Sequence, residues 1–208
     1  MKFIGGVDIS YAKNSSKAIA MLVVMSFPSL EIVYSDSMFL EIDVEYTSGF
    51  LAEREAPIIL ELIQKLRNRH CEPLPQVLFV DGNGTLHPRG YGLACHIGEQ
   101  LDDISTIGVA KSFLQFEEKG LTSINVRKMC AEKLTKGGEF LYLKKLSGEI
   151  VGAALRPLDS TTNPIYVSPG HKIDLSEALK LTIECCKFRV PEPIRQADLL
   201  SRALLRAK

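Results

Sequence analysis

This chain has 208 residues, of which 46% are apolar and 24% are charged. Such a composition suits one globular domain with a full hydrophobic core, and it excludes a chain that is disordered throughout. The 25 basic residues equal the 25 acidic residues, so there is no global basic field, and a nucleic-acid-binding protein of this balance must concentrate positive charge on one face.

The first third of the chain predicts three strands, at Phe3–Tyr11, Ala18–Phe27 and Glu31–Leu40. Turn-forming residues at 14–16 and 28–29 separate them. Short turns between consecutive strands favour an antiparallel meander.

The spacing of apolar residues then changes to that of a helix. From Glu55 onward they recur on one helix face, at Ile59, Leu62, Ile63 and Leu66. Pro57 fits such a helix in its first turn, where its missing N–H has no partner. The sequence therefore predicts a helix that begins at Glu55.

Strands and helices alternate over the rest of the chain. The predicted elements are a buried strand at 76–80, a helix at Leu93–Leu101, a strand at Ser105–Ala110, a helix after Thr122, an edge hairpin within Leu141–Val151, a strand at Ile165–Ser168, and helices at Leu175–Cys186 and Arg195–Arg206. Three antiparallel strands followed by this alternation predict an α/β fold, with a mixed central β-sheet flanked by helices, in a single domain over residues 1–208. This order is that of ribonuclease H-like folds, and other α/β arrangements share it.

The cysteines and the apolar runs indicate in which cellular compartment the protein is expected. The chain has five cysteines, an odd number, with no Cys-x-x-Cys spacing, which is typical of a reducing compartment. The first strand starts almost at Met1, which leaves no room for a signal peptide, and the longest apolar run, Ala18 to Met25, is too short to span a bilayer. We expect a soluble monomer without a membrane partner, located in the cytoplasm, with the nucleus or nucleolus as the alternative.

Three carboxylates are candidates for a metal site. Asp8 lies inside the apolar first strand, Asp81 ends the buried strand, and Glu55 opens the first helix. Burying an ionised carboxylate is costly unless a cation or hydrogen bonds compensate for it, and Mg²⁺ prefers oxygen ligands. The alternatives are a strand-end aspartate that caps a turn and a glutamate that interacts with a helix N-terminus.

A glycine-rich segment follows Asp81, with four glycines between positions 82 and 92. Glycine allows the backbone to approach a ligand closely, and His87 and Arg89 in the same segment could contact phosphate. The alternative is an ordinary long loop. No Gly-x-x-x-x-Gly-Lys-Ser/Thr motif occurs, so a nucleoside triphosphate P-loop is not supported.

Six motifs in order along the chain resemble endonuclease V, in its eukaryotic branch. They are Val7-Asp8-Ile9-Ser10-Tyr11, residues 48–55 (SGFLAERE), residues 80–90 (VDGNGTLHPRG), Gly108-Val109-Ala110-Lys111, residues 166–171 (YVSPGH) and residues 191–198 (PEPIRQAD). They span nearly the whole chain, so together they are much more specific than any one acidic residue.

The resemblance implies a ribonuclease H-like fold and an activity. That activity is hydrolysis of the second phosphodiester bond 3′ to inosine with Mg²⁺ as the cofactor, and Mn²⁺ is expected to substitute for it. The expected partner is inosine-containing RNA, preferably single-stranded, with deoxyinosine-containing DNA as the close alternative. Contacts to the 2′-hydroxyl would distinguish the two nucleic acids.

The resemblance also implies roles for particular residues. Asp8, Glu55 and Asp81 match the metal-binding carboxylates, Asp198 matches a further catalytic acid, and Lys111 would lie beside the scissile phosphate. Tyr46 matches a wedge that stacks into the gap left by the displaced base. The base pocket and its surroundings would be formed by Gly49, Leu51, Gly82, Gly90 and Gly92, with His87 and Arg89 nearby.

Two other classes of protein are compatible with parts of this pattern. One is a protein that binds inosine without cutting, on a scaffold whose metal site has degenerated. The other is a different metal-dependent nuclease or resolvase with the same fold. All four acids are intact, and the expected wedge and glycine-rich pocket argue against another nuclease, so we expect an active inosine-specific nuclease.

Overall fold

The computed structural model describes residues 1–13, 15–41, 51–69, 73–116 and 121–207, and in the first helix it describes side chains from residue 55 onward. The strands within these ranges are β1 (Phe3–Tyr11), β2 (Lys17–Ser26), β3 (Ile32–Glu41), β4 (Val77–Asp81), β5 (Ser105–Ala110), β6 (Phe140–Lys144), β7 (Ile150–Leu155) and β8 (Ile165–His171). The helices are α1 (Leu51–Arg67), α2 (Leu93–Leu101), α3 (Ser123–Lys133), α4 (Leu175–Glu184) and α5 (Glu192–Arg206).

The strands form one mixed sheet in the order β3-β2-β1-β4-β5-β8-β7-β6. The predicted antiparallel meander of β1, β2 and β3 is confirmed. β4 pairs with β1 in parallel, and β5 pairs with β4 in parallel. The last three strands extend the sheet in antiparallel fashion, with β6 at the edge in the predicted hairpin. The predicted ribonuclease H-like α/β fold is thereby confirmed.

Helices cover both faces of the sheet. On one face, α1 and α2 bury apolar side chains such as Ile59, Leu62 and Ile97 against the sheet. On the other face, α4 and α5 pack on the sheet through residues such as Leu179 and Ile194. The strands at the centre of this sandwich are buried on both faces, which explains why their sequences are apolar at nearly every position. No helix in the described ranges is both long enough and apolar enough to cross a membrane.

The start of α1 differs from its prediction. The helix begins at Leu51, so Glu55 is its fifth residue rather than its first, and Pro57 lies inside the helix rather than in its first turn. A proline there removes one main-chain hydrogen bond. The packing of the apolar face that follows, with Ile59, Leu62 and Leu66 all buried, stabilises the helix despite this loss.

The C-terminal helix α5 lies alongside β1 and runs in the same direction. A Cβ atom on Gly6 would lie 2.2 Å from the Pro193 carbonyl group, and Ser10 contacts Ser201. Eight helical residues rise about 12 Å and four strand residues about 13 Å, so the two elements stay in step. This register brings Asp198, near the middle of α5, to the level of Asp8 on β1.

Candidate active site

Three acidic side chains line one cavity at an edge of the sheet. Asp8 is near the carboxyl end of β1, Asp81 is the last residue of β4, and Glu55 lies in the second turn of α1. Because β1 and β4 are parallel neighbours, their carboxyl ends meet at the same edge. Asp8 is 6% exposed and Glu55 is 5% exposed, so both are largely removed from water. The cavity has a volume of about 410 Å³.

Most residues predicted for the site belong to this cavity or its margin. Besides the three acids, its lining includes Gly82, His87, Arg89, Gly92 and Lys111. Gly90 lies in the same loop, with a φ of 67° that favours glycine. Tyr46 and Gly49 lie outside the described residues, and Leu51 is described only as the first residue of α1.

Lys111 lies between the acid at the end of β4 and the acid on α5. It follows the last residue of β5, and its Nζ lies 2.6 Å from Asp81 Oδ2 and 3.8 Å from Asp198 Oδ1. Burial by itself would lower the pKa of Lys111, but the Asp81 carboxylate, together with Asp8 and Asp198, raises it above its ordinary value. Lys111 is therefore a permanent positive charge between two acids at neutral pH.

Asp8 is a buried acid whose charge is only partly compensated. Burial, together with a hydrogen bond and charge repulsion from Asp81, raises the pKa of Asp8 to about 8, although Lys111 acts in the opposite direction. An isolated carboxylate of this kind is mostly protonated at neutral pH. Asp8 therefore needs a further positive charge nearby to be ionised there.

Two buried serines hold Asp8 in position. Ser10 Oγ donates to Asp8 Oδ2 over 3.2 Å, and Ser10 Oγ lies 2.7 Å from Ser201 Oγ on α5. Because an ionised carboxylate only accepts hydrogen bonds, Ser10 then donates to Asp8 and Ser201 can donate to Ser10. This chain of hydroxyls links the position of Asp8 to the helix that carries Asp198.

Asp198 and Glu55 each have a partner that fixes the carboxylate. Arg202, one turn further along α5, donates to Asp198 Oδ1 over 2.8 Å. Tyr11 donates from its hydroxyl group to Glu55 Oε1 over 2.5 Å. Sequence reasoning did not find Tyr11, Ser10, Ser201 or Arg202. The signal for Ser10 was its place two residues after Asp8, which puts both side chains on one face of β1.

The donor set suits a hard divalent cation. Within the described ranges, no three acidic, histidine or cysteine side chains already have their donor atoms arranged around one ion. Mg²⁺, however, usually takes one or two carboxylates and fills its other positions with water and phosphate oxygens. Asp8 and Asp81 are adjacent carboxylates whose negative charge Lys111 compensates only in part, and Glu55 lines the same cavity. These residues therefore fit Mg²⁺ or Mn²⁺.

The loop after β4 forms part of the wall of the cavity. Gly84 allows this loop to lie close to the main chain of β8, since a Cβ atom at position 84 would lie 2.0 Å from the Pro169 carbonyl oxygen. His87 is 7% exposed, and its Nδ1 accepts a hydrogen bond from the Arg89 main chain. Burial and the neighbouring Arg89 lower the pKa of His87, which favours its neutral form. The positive charge of this wall therefore comes from Arg89.

Comparison with known proteins identifies relatives along nearly the entire chain. The sequence model of the endonuclease V family matches residues 1–199. Human endonuclease V is 48% identical over 204 residues, covering 98% of this chain and 71% of the human protein. Mouse endonuclease V is also 48% identical over 204 residues, and the chain spans 60% of the mouse protein's length. The crystal structure of Ciona intestinalis endonuclease V, bound to a 24mer DNA containing an inosine followed by a ribo-adenosine, has a TM-score of 0.92 and 36% identity, and the match covers 99% of this chain and 87% of that chain.

Proposed function

This chain belongs to the endonuclease V family, and from that premise we propose that it is a metal-dependent, inosine-specific endonuclease. Its reaction is hydrolysis of the second phosphodiester bond 3′ to inosine, preferably in single-stranded RNA. Mg²⁺ is the proposed cofactor, and Mn²⁺ can substitute for it. The observation that carries the proposal is that Asp8, Glu55, Asp81 and Lys111 line one cavity, with Asp198 3.8 Å from the Lys111 ammonium group.

The proposed cation is held by Asp8, Asp81 and Glu55. When bound, it supplies Lewis acidity that activates water and offsets the negative charge of phosphate. Burial and Asp81 raise the pKa of Asp8 to about 8, so Asp8 would be ionised at neutral pH beside such a positive charge. Ser10 then donates to the ionised carboxylate and holds it in one orientation.

Lys111 is the proposed stabiliser of charge that develops on the scissile phosphate. Its ammonium group lies between Asp81 and Asp198, and these acids raise its pKa, so its charge is present at the pH of the reaction. Asp198 is held in turn by Arg202. The ammonium group is thereby fixed from two sides and needs little reorganisation during the reaction.

The cavity beside the acids is the proposed site for the inosine base. Gly82, Gly92 and Arg89 line it, and we infer from the family resemblance that main-chain groups of their loop contact the base. Hypoxanthine lacks the exocyclic amine of adenine and the 2-amino group of guanine. A tight pocket of main-chain donors and acceptors can therefore exclude both competitors. Tyr46 is the proposed wedge that fills the gap left by the base.

RNA is the preferred substrate in this proposal, with deoxyinosine-specific DNA repair as the second candidate. The eukaryotic character of the motifs supports RNA. The Ciona intestinalis relative was crystallised with DNA in which a ribo-adenosine follows the inosine, so a strand of either chemistry is a reasonable substrate to test. A protein that binds inosine without cutting is disfavoured because all the proposed acids are intact.

Four labelled single strands test the proposal. They are RNA and DNA strands with one inosine, and matched strands with adenosine at the same position, each incubated with Mg²⁺ and, separately, with EDTA. We expect cleavage one nucleotide beyond inosine, faster in RNA, with none in the adenosine strands or with EDTA. Equal or faster cleavage of DNA would favour the repair enzyme. Retention of the inosine strands without cleavage would favour the binding protein.

The variant Asp81→Ala identifies the catalytic site in the same assay. We expect it to abolish cleavage while some binding of the inosine strand remains, because the carboxylate holds the cation rather than the base. Asp159→Ala, at an exposed acid in the turn after β7, is the control and should cleave like the wild type. Full activity of Asp81→Ala would refute the assignment of the site.

A further inference from the structure

A second groove meets the base cavity at the carboxylates and then follows a different path. Both are lined by Asp8, Asp81 and Lys111, together with two neighbours on β1. The second one continues between the turn after β1 and the last two turns of α5, and its volume is about 740 Å³. We call it the α5 groove; the remainder of its lining is Ser10, Ala12, Lys13, Asp198, Arg202, Leu205 and Arg206.

Basic side chains stand on both walls of the α5 groove. Asp198, Arg202 and Arg206 are spaced four residues apart, so they form a stripe along one face of α5. The stripe extends about 12 Å from the catalytic acid. Lys13 contributes a positive charge from the opposite wall, in the turn after β1. The groove therefore becomes increasingly positive with distance from the carboxylates.

Two of these cations are available to a ligand. Arg202 is engaged by Asp198. Lys13 and Arg206 are exposed, and neither has an acidic partner within the part of the chain that the structure describes. Basic and acidic residues are equal in number in this chain. The groove departs from that balance, because each of its walls carries one of these two cations. Anionic groups of a polymer that extends from the site complement it.

We propose that the α5 groove binds the nucleic-acid strand on the 3′ side of the cleaved bond, with Lys13 and Arg206 contacting its phosphates. The inference rests on the proposed function. With inosine in the base cavity and the cut 3′ to it, the strand passes over the carboxylates and leaves by a route other than the one it entered. The α5 groove is such a route, and contacts to phosphate make the binding independent of sequence on that side.

Substrates of different 3′ length test this assignment. The long strand extends about ten nucleotides beyond the cut, and the short strand ends one nucleotide beyond it, with identical 5′ sides. The double variant Lys13→Gln/Arg206→Gln removes both free cations. Lys133→Gln/Lys180→Gln removes the same charge from exposed positions on α3 and α4 that line neither cavity, and it is the control.

On the long strand we expect the groove variant to lower kcat/KM about tenfold, through KM, with kcat nearly unchanged. The slope of log(kcat/KM) against log[salt] should become shallower by about 1.4, since each phosphate contact on a single strand contributes about 0.7. On the short strand the groove variant and the wild type should be nearly equal. The control should match the wild type on both strands.

Three results would overturn the assignment. The first is an equal loss of kcat/KM in the groove variant on long and short strands. The second is a loss of kcat/KM that depends on the length of the 5′ side instead. The third is a loss of kcat/KM of the same size in the control variant. Wild-type protein that does not discriminate inosine from adenosine would refute the proposed function itself. That outcome is seen without any variant, so the two failures are distinguishable.

Discussion

The contact between Gly6 and α5 makes a quantitative prediction. Gly6 lies on β1, and a Cβ atom there would be 2.2 Å from both the carbonyl carbon and the carbonyl oxygen of Pro193. Carbon atoms in ordinary contact are about 3.5–4.0 Å apart. In Gly6→Ala, α5 must therefore retreat from β1 by more than about 1 Å, since a main-chain carbonyl cannot rotate away as the end of a side chain can.

This displacement has two expected costs. Overpacking a well-filled interior typically destabilises a protein by about 1–3 kcal/mol, and a clash with main-chain atoms falls at the upper end. The same helix carries Asp198 and Ser201, so its retreat moves one proposed catalytic acid and loosens the hydroxyl link to Asp8. A shift of about 1 Å in a catalytic group lowers the rate about 100-fold.

Gly5→Ala is the matched control on the same strand. Its Cβ atom would point to the opposite face and meet Leu78 Cδ1 at 2.8 Å, which is the movable end of a side chain. We expect about 1 kcal/mol of destabilisation and nearly wild-type turnover. Urea unfolding measures the free energy of unfolding, and single-turnover cleavage of an inosine strand measures the rate of turnover. Wild-type stability and turnover in Gly6→Ala, or an equal loss of turnover in Gly5→Ala, would refute the reasoning.

Three further predictions concern the site. Ser201→Ala should raise the Mg²⁺ concentration for half-maximal cleavage about tenfold, because the hydroxyl chain to Asp8 is broken. The control is Thr182→Val, which removes another buried helix hydroxyl. It should leave that Mg²⁺ concentration unchanged. Without metal, the pKa of Asp8 is about 8 in the folded protein against 3.8 in the unfolded chain, so the folded state binds more protons and stability should fall as pH rises between these values. Urea unfolding across this range should show that fall in the wild type and a weaker one in Asp8→Asn. Tyr46→Ala should weaken binding of an inosine strand by about 1–3 kcal/mol, and unchanged binding would remove its role as a wedge.

Much of the fold could be predicted because the local pattern and the tertiary structure agree. β4 is apolar at nearly every position, which predicted a strand covered on both faces, and it lies at the centre of the sheet. The helix α2 and the strand β5 have the predicted bounds. The start of α1 was placed too late because proline favours a first turn, whereas tertiary packing of the following helix face outweighs one missing hydrogen bond.

The site residues that local sequence patterns indicate could likewise be predicted, whereas those that depend on tertiary register could not. Asp8 and Asp81 could be brought together from sequence because parallel strands end at a common edge. Lys111, two strands from β1, was identified from the resemblance to a family motif, and its contact with Asp81 is consistent with the proposed role. Ser10 and Ser201 could not be paired from sequence. They are 191 positions apart, and only the register between α5 and β1 brings them into contact.

The position of the acids along the chain has a consequence for synthesis. Asp8 belongs to the first strand and Asp198 to the last helix, so nearly the whole chain lies between them. A ribosome adds about 5–20 residues per second, so about 10–40 s separate the appearance of the first acid from that of the last. During this interval a nascent chain can pair its early strands, but it lacks the helix that carries Asp198 and one wall of the α5 groove. Nuclease activity is therefore expected to begin only when α5 has left the ribosome and docked, so an unfinished chain is not expected to cleave nucleic acid.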